Sequence, residues 1–230
     1  MPRRKSTTGK CSFCGGTFGK AAMARHLTAC PKRQAEPAKR KATTDELFHL
    51  VVQGRYAPDY WMHLDVRANT QLTNLDQFLR DIWLECCGHL SVFTIRGERY
   101  AISPIRDAFW DMGERSMNVA LADVLEPGMK FEHEYDFGTT TELALRIVSK
   151  HEGNMGRRPV LVLARNDPPD IRCQTCGKPA TDICVECDDG YGAWLCADCA
   201  AEHEHDDMPL PVVNSPRVGM CGYSGPADGD

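Results

Sequence analysis

The sequence lacks long apolar runs, and this absence excludes one class of protein. No stretch of its 230 residues approaches the roughly 18 apolar residues that a membrane-spanning helix needs. Catalytic signatures are missing as well, since the chain has no glycine-rich phosphate loop, no His-Glu-x-x-His and no Ser-His-Asp order. We therefore expect a soluble, cytoplasmic protein without a membrane partner, and enzyme status is unsupported by the sequence.

Charge is unevenly distributed along the chain. The net charge is -5, yet residues 1–45 hold 11 Lys or Arg against 2 acids. Residues 166–230 show the opposite balance, with 13 acids against 3 bases. The N-terminal arm therefore has the sign that attracts polyanions, whereas the C-terminal part favours a protein partner over a phosphate backbone.

Spaced pairs of cysteine and histidine crowd the C-terminal part. Eight ligands supply two four-coordinate sites with no open position, which is typical of structural zinc. A disulfide framework is the alternative, but Cys-x2-Cys pairs mixed with histidines favour thiolates held by metal. The predicted ligands are Cys173, Cys176, Cys184, Cys187, Cys196, Cys199, His203 and His205.

The basic arm carries another metal motif. Cys11, Cys14, His26 and Cys30 resemble the ligands of a two-strand, one-helix zinc finger whose last ligand is cysteine. Residues 20–29 are predicted to form its helix, on which ligands four residues apart share a face. So short a module buries too little surface to fold without metal. Twelve candidate ligands in all predict three zinc ions.

Basic side chains of the finger predict contact with DNA or RNA. A single finger reads about 3 base pairs, so most of the affinity would come from phosphates. A finger that binds protein, or that merely folds, is the alternative. The candidate contacts are Lys20, Arg25, Lys32 and Arg33.

Residues 44–165 carry the patterns of a globular core. Apolar and polar residues alternate over 60–67, which predicts a half-buried strand, and an apolar stripe after Thr73 predicts a helix whose start uses Thr73 and Asp76 as a capping box. Hairpins are predicted at 90–102 and 130–150, and a fully buried strand at 160–164. Because strands and helices do not alternate regularly, an α+β fold with a mainly antiparallel sheet is favoured.

Three strings within this core carry a family resemblance. Residues 75–83 (LDQFLRDIW), 88–93 (GHLSVF) and 131–138 (FEHEYDFG) are similar to the plasmid pRi ORF-3-like domain, also known as a passenger protein of insertion elements. The resemblance covers about residues 55–150 and implies an α+β domain in a bacterial, plasmid-borne or transposable-element protein. Many relatives continue into an acidic stretch ending in Trp-x-His, which residues 139–143 (TTTEL) replace here.

The C-terminal module is similar to a B-box-type cross-brace finger. That resemblance implies interleaved sites, with the first and third cysteine pairs around one zinc and the second cysteine pair with both histidines around the other. Two consecutive sites are the alternative pairing. His205 is the ligand that Asp206 or Asp207 could replace with an oxygen.

A few reactive side chains remain outside these motifs. The candidates for an acid, a base or a metal ligand in the core are His63, His89, His133, Glu134 and Asp136, and nothing in the sequence brings them together. Cys86 and Cys87 are predicted to be small buried side chains. Cys221 is left over.

Together these patterns predict a bacterial adaptor with four segments. These are a basic arm with a finger (1–42), an α+β core (44–165), a two-zinc cross-brace (166–207) and an extended tail (208–230). Nucleic acid would bind the first segment and protein the third, and no catalytic residue or organic cofactor is predicted. The alternatives are an enzyme of mobile-element biology and a purely structural zinc protein. Chelation is expected to unfold both ends while the core survives.

Overall fold

The computed structural model describes residues 7–35, 44–104, 113–187, 193–205 and 209–226. Parts of the predicted basic arm (1–6 and 36–43) and of the tail (208 and 227–230) lie outside the described residues. The chain forms two compact units: unit 1 is Met1–Phe78 with Leu90–Asp167, and unit 2 is Leu79–His89 with Pro168–Asp230. No helix in the described ranges is long and apolar enough to cross a membrane.

Unit 1 is built on a ten-stranded sheet whose order is β2-β1-β10-β4-β3-β9-β8-β5-β6-β7. The described strand pairs of this sheet are antiparallel except for β6 with β7. The fold is therefore α+β with a mainly antiparallel sheet, as predicted. The strands are β1 Thr8–Cys11, β2 Thr17–Gly19, β3 Asp45–Gly54, β4 Trp61–Arg67, β5 Ser91–Ile95, β6 Glu98–Ala101, β7 Arg115–Ser116, β8 Lys130–Tyr135, β9 Thr141–Gly153 and β10 Val160–Asn166.

Four short helices accompany this sheet: α1 Lys20–Ala29, α2 Pro31–Ala35, α3 Leu72–Leu79 and α4 Leu121–Val124. The capping box predicted for α3 is not formed. The helix begins one residue earlier, at Leu72, and the Thr73 hydroxyl contacts Asn118 Oδ1. Asp76 contacts His133 in β8 instead, at 2.7 Å between Oδ1 and Nε2.

The finger is continuous with the sheet. Strand β1 pairs with β10, so that Gly9 faces Asn166 and Cys11 faces Ala164. A side chain at Gly9 would collide with the Arg165 carbonyl group and would lie 2.8 Å from Trp61 Cη2, so glycine is required where the two strands meet. The finger, predicted as a separate segment, thus shares one compact unit with most of the core.

The two faces of β4 are both buried, although alternation predicted a half-buried strand. All of Trp61–Val66 is buried, because the finger covers the face that carries the polar side chains. His63 Nε2 lies 3.2 Å from the Lys20 carbonyl oxygen, and Asp65 binds Arg33. The strand predicted at 160–164 extends to Asn166 and contains both buried and half-buried residues rather than being fully buried.

In the residues that the structure describes, unit 2 contains a three-stranded sheet in the order β12-β11-β13 and one short α-helix. Its elements are β11 Asp182–Cys184, β12 Ala193–Leu195, α5 Ala197–Ala201 and β13 Leu210–Pro211. The segment predicted as an extended tail supplies β13 and buries Arg217 and Tyr223. The π-helical turn Arg80–Leu84 also belongs to this unit.

Candidate metal centres

The N-terminal cluster gathers the four predicted finger ligands. Cys11 ends β1, Cys14 lies in the following turn, His26 lies on α1, and Cys30 caps that helix. Their ligand atoms all lie within 4.8 Å of one another, with 3.2 Å between Cys14 Sγ and His26 Nε2. Phe18 stacks on the His26 ring at 4.2 Å between centroids, which fixes the direction in which the imidazole points.

A tight turn presents the first two of these thiols. The Gly15 N–H group donates to the Cys11 carbonyl oxygen (2.8 Å), and the Cys11 N–H group donates to that of Gly16 (2.9 Å). Gly15 adopts a φ of 73°, which a side chain would disfavour. The Gly16 N–H group also donates to Cys14 Sγ and lowers the pKa of this thiol, so the turn itself promotes the thiolate that a metal needs.

The C-terminal module repeats this turn and assembles two interleaved clusters. Gly177 (φ 75°) donates to the Cys173 carbonyl oxygen at 2.9 Å, and Cys173 donates to that of Lys178 at 2.8 Å, the same hydrogen-bond spacing as in the finger. The grouping is the cross-brace rather than the consecutive alternative. One cluster contains Cys173, Cys176, Cys196 and Cys199, and the other contains Cys184, Cys187, His203 and His205.

The separations between ligand atoms suit a tetrahedral ion. Zn–S bonds of about 2.3 Å and Zn–N bonds of about 2.0–2.1 Å place neighbouring ligand atoms about 3.5–3.8 Å apart. Cys176 Sγ and Cys196 Sγ are separated by 3.5 Å. Cys187 Sγ lies 3.2 Å from His203 Nε2 and 3.7 Å from His205 Nδ1. His205 thus faces its cluster through Nδ1, together with Cys184 and Cys187.

Charge within the four-cysteine cluster also favours a cation. Burial opposes ionisation of Cys173, but backbone N–H groups, first that of Cys176, outweigh it and lower the pKa of Cys173 to about 6. The hydrogen bond with Cys176 raises the pKa of Cys199 to about 12. The four sulfurs therefore do not ionise together near neutral pH unless a bound cation offsets their repulsion. None of the twelve cysteines forms a disulfide.

The four basic residues predicted to contact nucleic acid differ in their surroundings. Arg25 and Lys32 are exposed, whereas Lys20 is half-buried and donates to the Gln53 side chain and the Pro58 carbonyl oxygen. Burial lowers the pKa of Lys20. Lys20 therefore fastens the start of α1 to the sheet in addition to contributing charge.

Arg33 has mainly structural contacts. Its Nη2 atom lies 2.8 and 2.9 Å from the two carboxylate oxygens of Asp65, and its Nη1 donates to the Leu27 carbonyl oxygen at 2.9 Å. Burial raises the pKa of Asp65, but hydrogen bonds and charges from His151 and Arg33 outweigh it and lower that pKa. This ion pair ties the end of the finger helix to β4.

A cleft of about 550 Å³ lies in unit 1 beside α1. Four basic side chains and one acidic side chain line it, together with apolar residues of the sheet. The charged lining residues are Lys20, Arg96, Lys130, Glu132 and Arg146. The basic character of the finger therefore continues onto the sheet surface. The sequence does not reveal this cleft, because its lining residues are far apart in the chain.

Two of the three core histidines considered as acids or bases, His63 and His133, are buried, whereas His89 is half-buried. His63 is fully buried against His49, and His133 is fully buried against Asp76. Asp136 is a turn residue with a φ of 64°, and its Oδ1 accepts the N–H group of Gly138. None of these three predicted candidates lines a described cleft. Glu134 borders a separate cleft with Arg99.

Two of the three cysteines outside the predicted motifs differ from expectation. Cys86 is half-buried and Cys87 is exposed, so the prediction of small buried side chains is wrong. Both lie near His89 and Cys221, with all four ligand atoms within 4.8 Å. The signal in the sequence was the string Cys-Cys-Gly-His at residues 86–89. Its partner, Cys221, lies 132 residues beyond His89, and no spacing rule predicts so distant a ligand.

The profile of the family described as plasmid pRiA4b ORF-3-like protein matches residues 48–178, more than half of the chain. The chain belongs to this family. The match begins in β3 and ends after the Cys173–Cys176 turn, so the ORF-3-like region excludes the finger ligands and the ligands from Cys184 to His205.

Comparison with solved structures finds limited similarity. The crystal structure of a protein of unknown function, MM3350 from Methanosarcina mazei Go1, is 18% identical, with a TM-score of 0.45 over 54% of this chain and 70% of that chain. No curated protein matches the chain.

Proposed function

We propose that this ORF-3-like chain is a zinc-stabilised adaptor of plasmid or mobile-element biology. In this proposal the N-terminal region contacts DNA or RNA, and the C-terminal module binds a protein. The observation that carries it is the set of three closed four-ligand clusters at the two ends of a family core. Sites without an open position stabilise a fold and present surfaces, which is what an adaptor requires.

Zinc is the cation that these ligands favour. The clusters offer Cys₃His, Cys₄ and Cys₂His₂ sets, and thiolate with imidazole in tetrahedral arrangement selects zinc over the harder magnesium and calcium ions. Iron is the competing tetrahedral partner for four thiolates, and metal analysis distinguishes it.

Metal analysis of the purified full chain tests the zinc proposal. We expect at least three zinc ions per chain, and Cys14→Ser, Cys176→Ser and Cys187→Ser should each lower the zinc content by one, because each removes a ligand from a different cluster. Thr175→Ala, a change in the same turn as Cys176 but at a non-ligand, should retain the full content. Zinc content that is unchanged in the three ligand variants would contradict the assignment.

Phosphate contact by the finger is supported by exposure and charge. Arg25 and Lys32 are exposed on the finger, and the basic lining of the neighbouring cleft adds positive potential in the same unit. Such contacts bind the backbone of nucleic acid and release counterions, which makes affinity dependent on salt. Arg25 and Lys32 are therefore suitable positions for testing nucleic-acid binding without disturbing the fold.

Simultaneous replacement of Arg25 and Lys32 by alanine should weaken binding to duplex DNA. Two lost phosphate contacts would flatten the slope of log K against log salt by about 1.8, at about 0.9 per contact. Fluorescence anisotropy over a salt series measures this slope, with a single-stranded RNA probe run in parallel.

The matched control is the pair Arg172→Ala and Lys178→Ala, which removes the same charge from exposed positions in the acidic module. Equal effects of the two pairs would indicate that net charge alone matters, and an unchanged slope for the finger pair would refute finger-mediated contact. Lys20 and Arg33 are unsuitable probes, since their side chains also hold the finger in place.

Protein binding by the C-terminal module is supported by its charge, 13 acids against 3 bases over residues 166–230. An acidic surface repels phosphate and leaves protein as the complementary partner. Quantitative cross-linking in the native host, comparing the full chain with Cys187→Ser, would test this arm. Identical cross-linked partners for both chains would argue against it.

A further inference from the structure

A fourth group of metal-ligating side chains lies in unit 2, apart from the three predicted sites. Cys86, Cys87 and His89 come from the turn after the π-helical segment, and Cys221 comes from the C-terminal segment. Their four ligand atoms lie within 4.8 Å of one another, and Cys221 Sγ is 3.4 Å from His89 Nε2. We propose that these residues form a fourth metal site of the Cys₃His type, which takes zinc.

The backbone of the first segment holds its three ligands in a fixed turn. The Glu85 N–H group closes the π-helical segment by donating to the Arg80 carbonyl oxygen at 2.8 Å. The Glu85 carboxylate then accepts the Gly88 N–H group at 2.6 Å and the Arg80 guanidinium at 2.7 Å. Gly88 has a φ of 73°, which allows the chain to reverse between Cys87 and His89.

The second segment presents Cys221 in a conformation that non-glycine residues seldom adopt. Cys221 has a φ of 48°, and its neighbours Gly219 and Gly222 have values of 77° and 68°. Left-handed backbone at a non-glycine residue persists where surrounding interactions determine it, and such residues concentrate at functional sites. A Cβ at Gly219 would lie 2.8 Å from Ile183 Cδ1, so packing also fixes the turn that carries the thiol.

A buried arginine supports the thiolate form of one ligand. Arg217 is fully buried, and its Nη2 lies 3.3 Å from Cys86 Sγ. The backbone N–H group of Arg217 donates to Ser215 Oγ (2.9 Å), and the Ser215 hydroxyl donates to the Trp83 carbonyl oxygen (2.7 Å). A guanidinium beside a sulfur favours the ionised ligand, and such outer contacts orient metal ligands. The two segments are thus joined around the cluster independently of any metal.

The distribution of cysteines agrees with this assignment. The three predicted sites use nine of the twelve cysteines, and the remaining three are those that meet at His89. Cys87 and Cys221 are exposed, so an ion can reach the site from solvent. The alternative to a metal site is a disulfide between two of these cysteines. A bound ion raises the mass of the chain, whereas a disulfide lowers it.

Native mass spectrometry of the full chain, with a denatured control, tests the proposal. We expect a mass excess of four zinc ions for the wild-type chain and three for both Cys87→Ser and Cys221→Ser. Ser224→Ala, an exposed hydroxyl change in the same segment, should retain four. Because both cysteines are exposed, the variants should keep the wild-type melting temperature of unit 1, which circular dichroism can check.

Three results would overturn the fourth site. These are a wild-type excess of three ions, an excess of four that neither variant reduces, and a denatured mass 2 Da below that of twelve thiols with no fourth ion. The site can fail alone, since zinc loss in Cys14→Ser, Cys176→Ser and Cys187→Ser reports on the other three clusters.

Discussion

Replacing Cys11 with serine should lower the free energy of unfolding of unit 1 by about 4–5 kcal/mol, because loss of a structural metal is one of the few mechanisms that produce so large an effect. The apparent binding free energy of zinc to finger peptides is about 10–16 kcal/mol near neutral pH, so even partial loss of affinity has a large effect. A domain has about 5–15 kcal/mol of stability in total. The variant should therefore be close to unfolding at the finger end of the sheet.

The effect should extend beyond the finger because its ligands are part of a shared core. Cys11 and Cys30 are buried in one cluster with Trp61 of β4 and Leu163 of β10. Cys11 also pairs with Ala164 through the β1–β10 ladder. Chelation was expected from the sequence to leave the core folded, but these contacts predict that β10 and β4 loosen together with the finger.

Hydrogen exchange followed by mass spectrometry measures this spread. In Cys11→Ser, protection should fall in β1, β10 and β4 and persist in β8. Cys184→Ser is the matched control, because it removes a cysteine ligand of similar burial from unit 2. Protection of β10 that stays at the wild-type value in Cys11→Ser would show that the finger unfolds independently of the sheet.

Spacing in the sequence predicted which cysteines and histidines lie together, because metal-binding motifs are local. Cys-x2-Cys turns need only a few residues and a glycine, and the turns at Cys11 and Cys173 follow the same hydrogen-bond pattern. The residues of the N-terminal cluster and of both C-terminal clusters lie together as spacing and resemblance predicted, and their binding of zinc stays a prediction. The cluster of Cys86, Cys87, His89 and Cys221 could not be predicted. Cys221 lies 132 residues after His89 in the chain, and only tertiary packing brings the two together.

Burial was predicted less well than element type. The alternation of polar and apolar residues in β4 indicated one solvent-exposed face. His63 and Asp65 on that face are nevertheless buried, because the finger covers it. Strand β3, at the centre of the sheet, was not predicted, although it pairs with both β4 and β9. The alternation of apolar and polar residues indicates which face of a strand is apolar. Whether another module buries the polar face depends on contacts between distant segments.

Acidification should destabilise unit 1 through two histidines buried beneath the finger. His63 Nε2 faces the Lys20 carbonyl oxygen, which can only accept, so this nitrogen carries the proton. His63 Nδ1 then accepts from His49 Nε2 at 3.0 Å. His49 Nδ1 is left as a buried nitrogen without a hydrogen-bond partner. A second proton on either ring would place a charge in this dry site.

Burial lowers the pKa of His49 to about 3 and that of His63 to about 4. The charges of His63 and Arg33 lower the pKa of His49 further, and the charge of Asp65 raises it. The charge of Arg146 lowers the pKa of His63. Since the unfolded chain binds these two protons near pH 6.5, stability is complete above that pH and falls as the pH drops from about 6.5 to 4. Between pH 7 and pH 5 the two histidines should together remove roughly 4 kcal/mol from the free energy of unfolding.

Denaturant unfolding at pH 7, 6 and 5 with zinc held constant measures this loss, and two variants separate it from acid release of metal. His49→Gln keeps an N–H donor for His63 but cannot titrate, so its loss between pH 7 and pH 5 should be about 2 kcal/mol smaller than that of the wild-type chain. His63→Gln should reduce the loss by a similar amount. Metal release contributes equally to all three chains, because neither histidine belongs to a ligand cluster. The same pH dependence in all three would mean that the buried pair takes up its protons in the folded state, and that the burial of His49 and His63 does not oppose their charge.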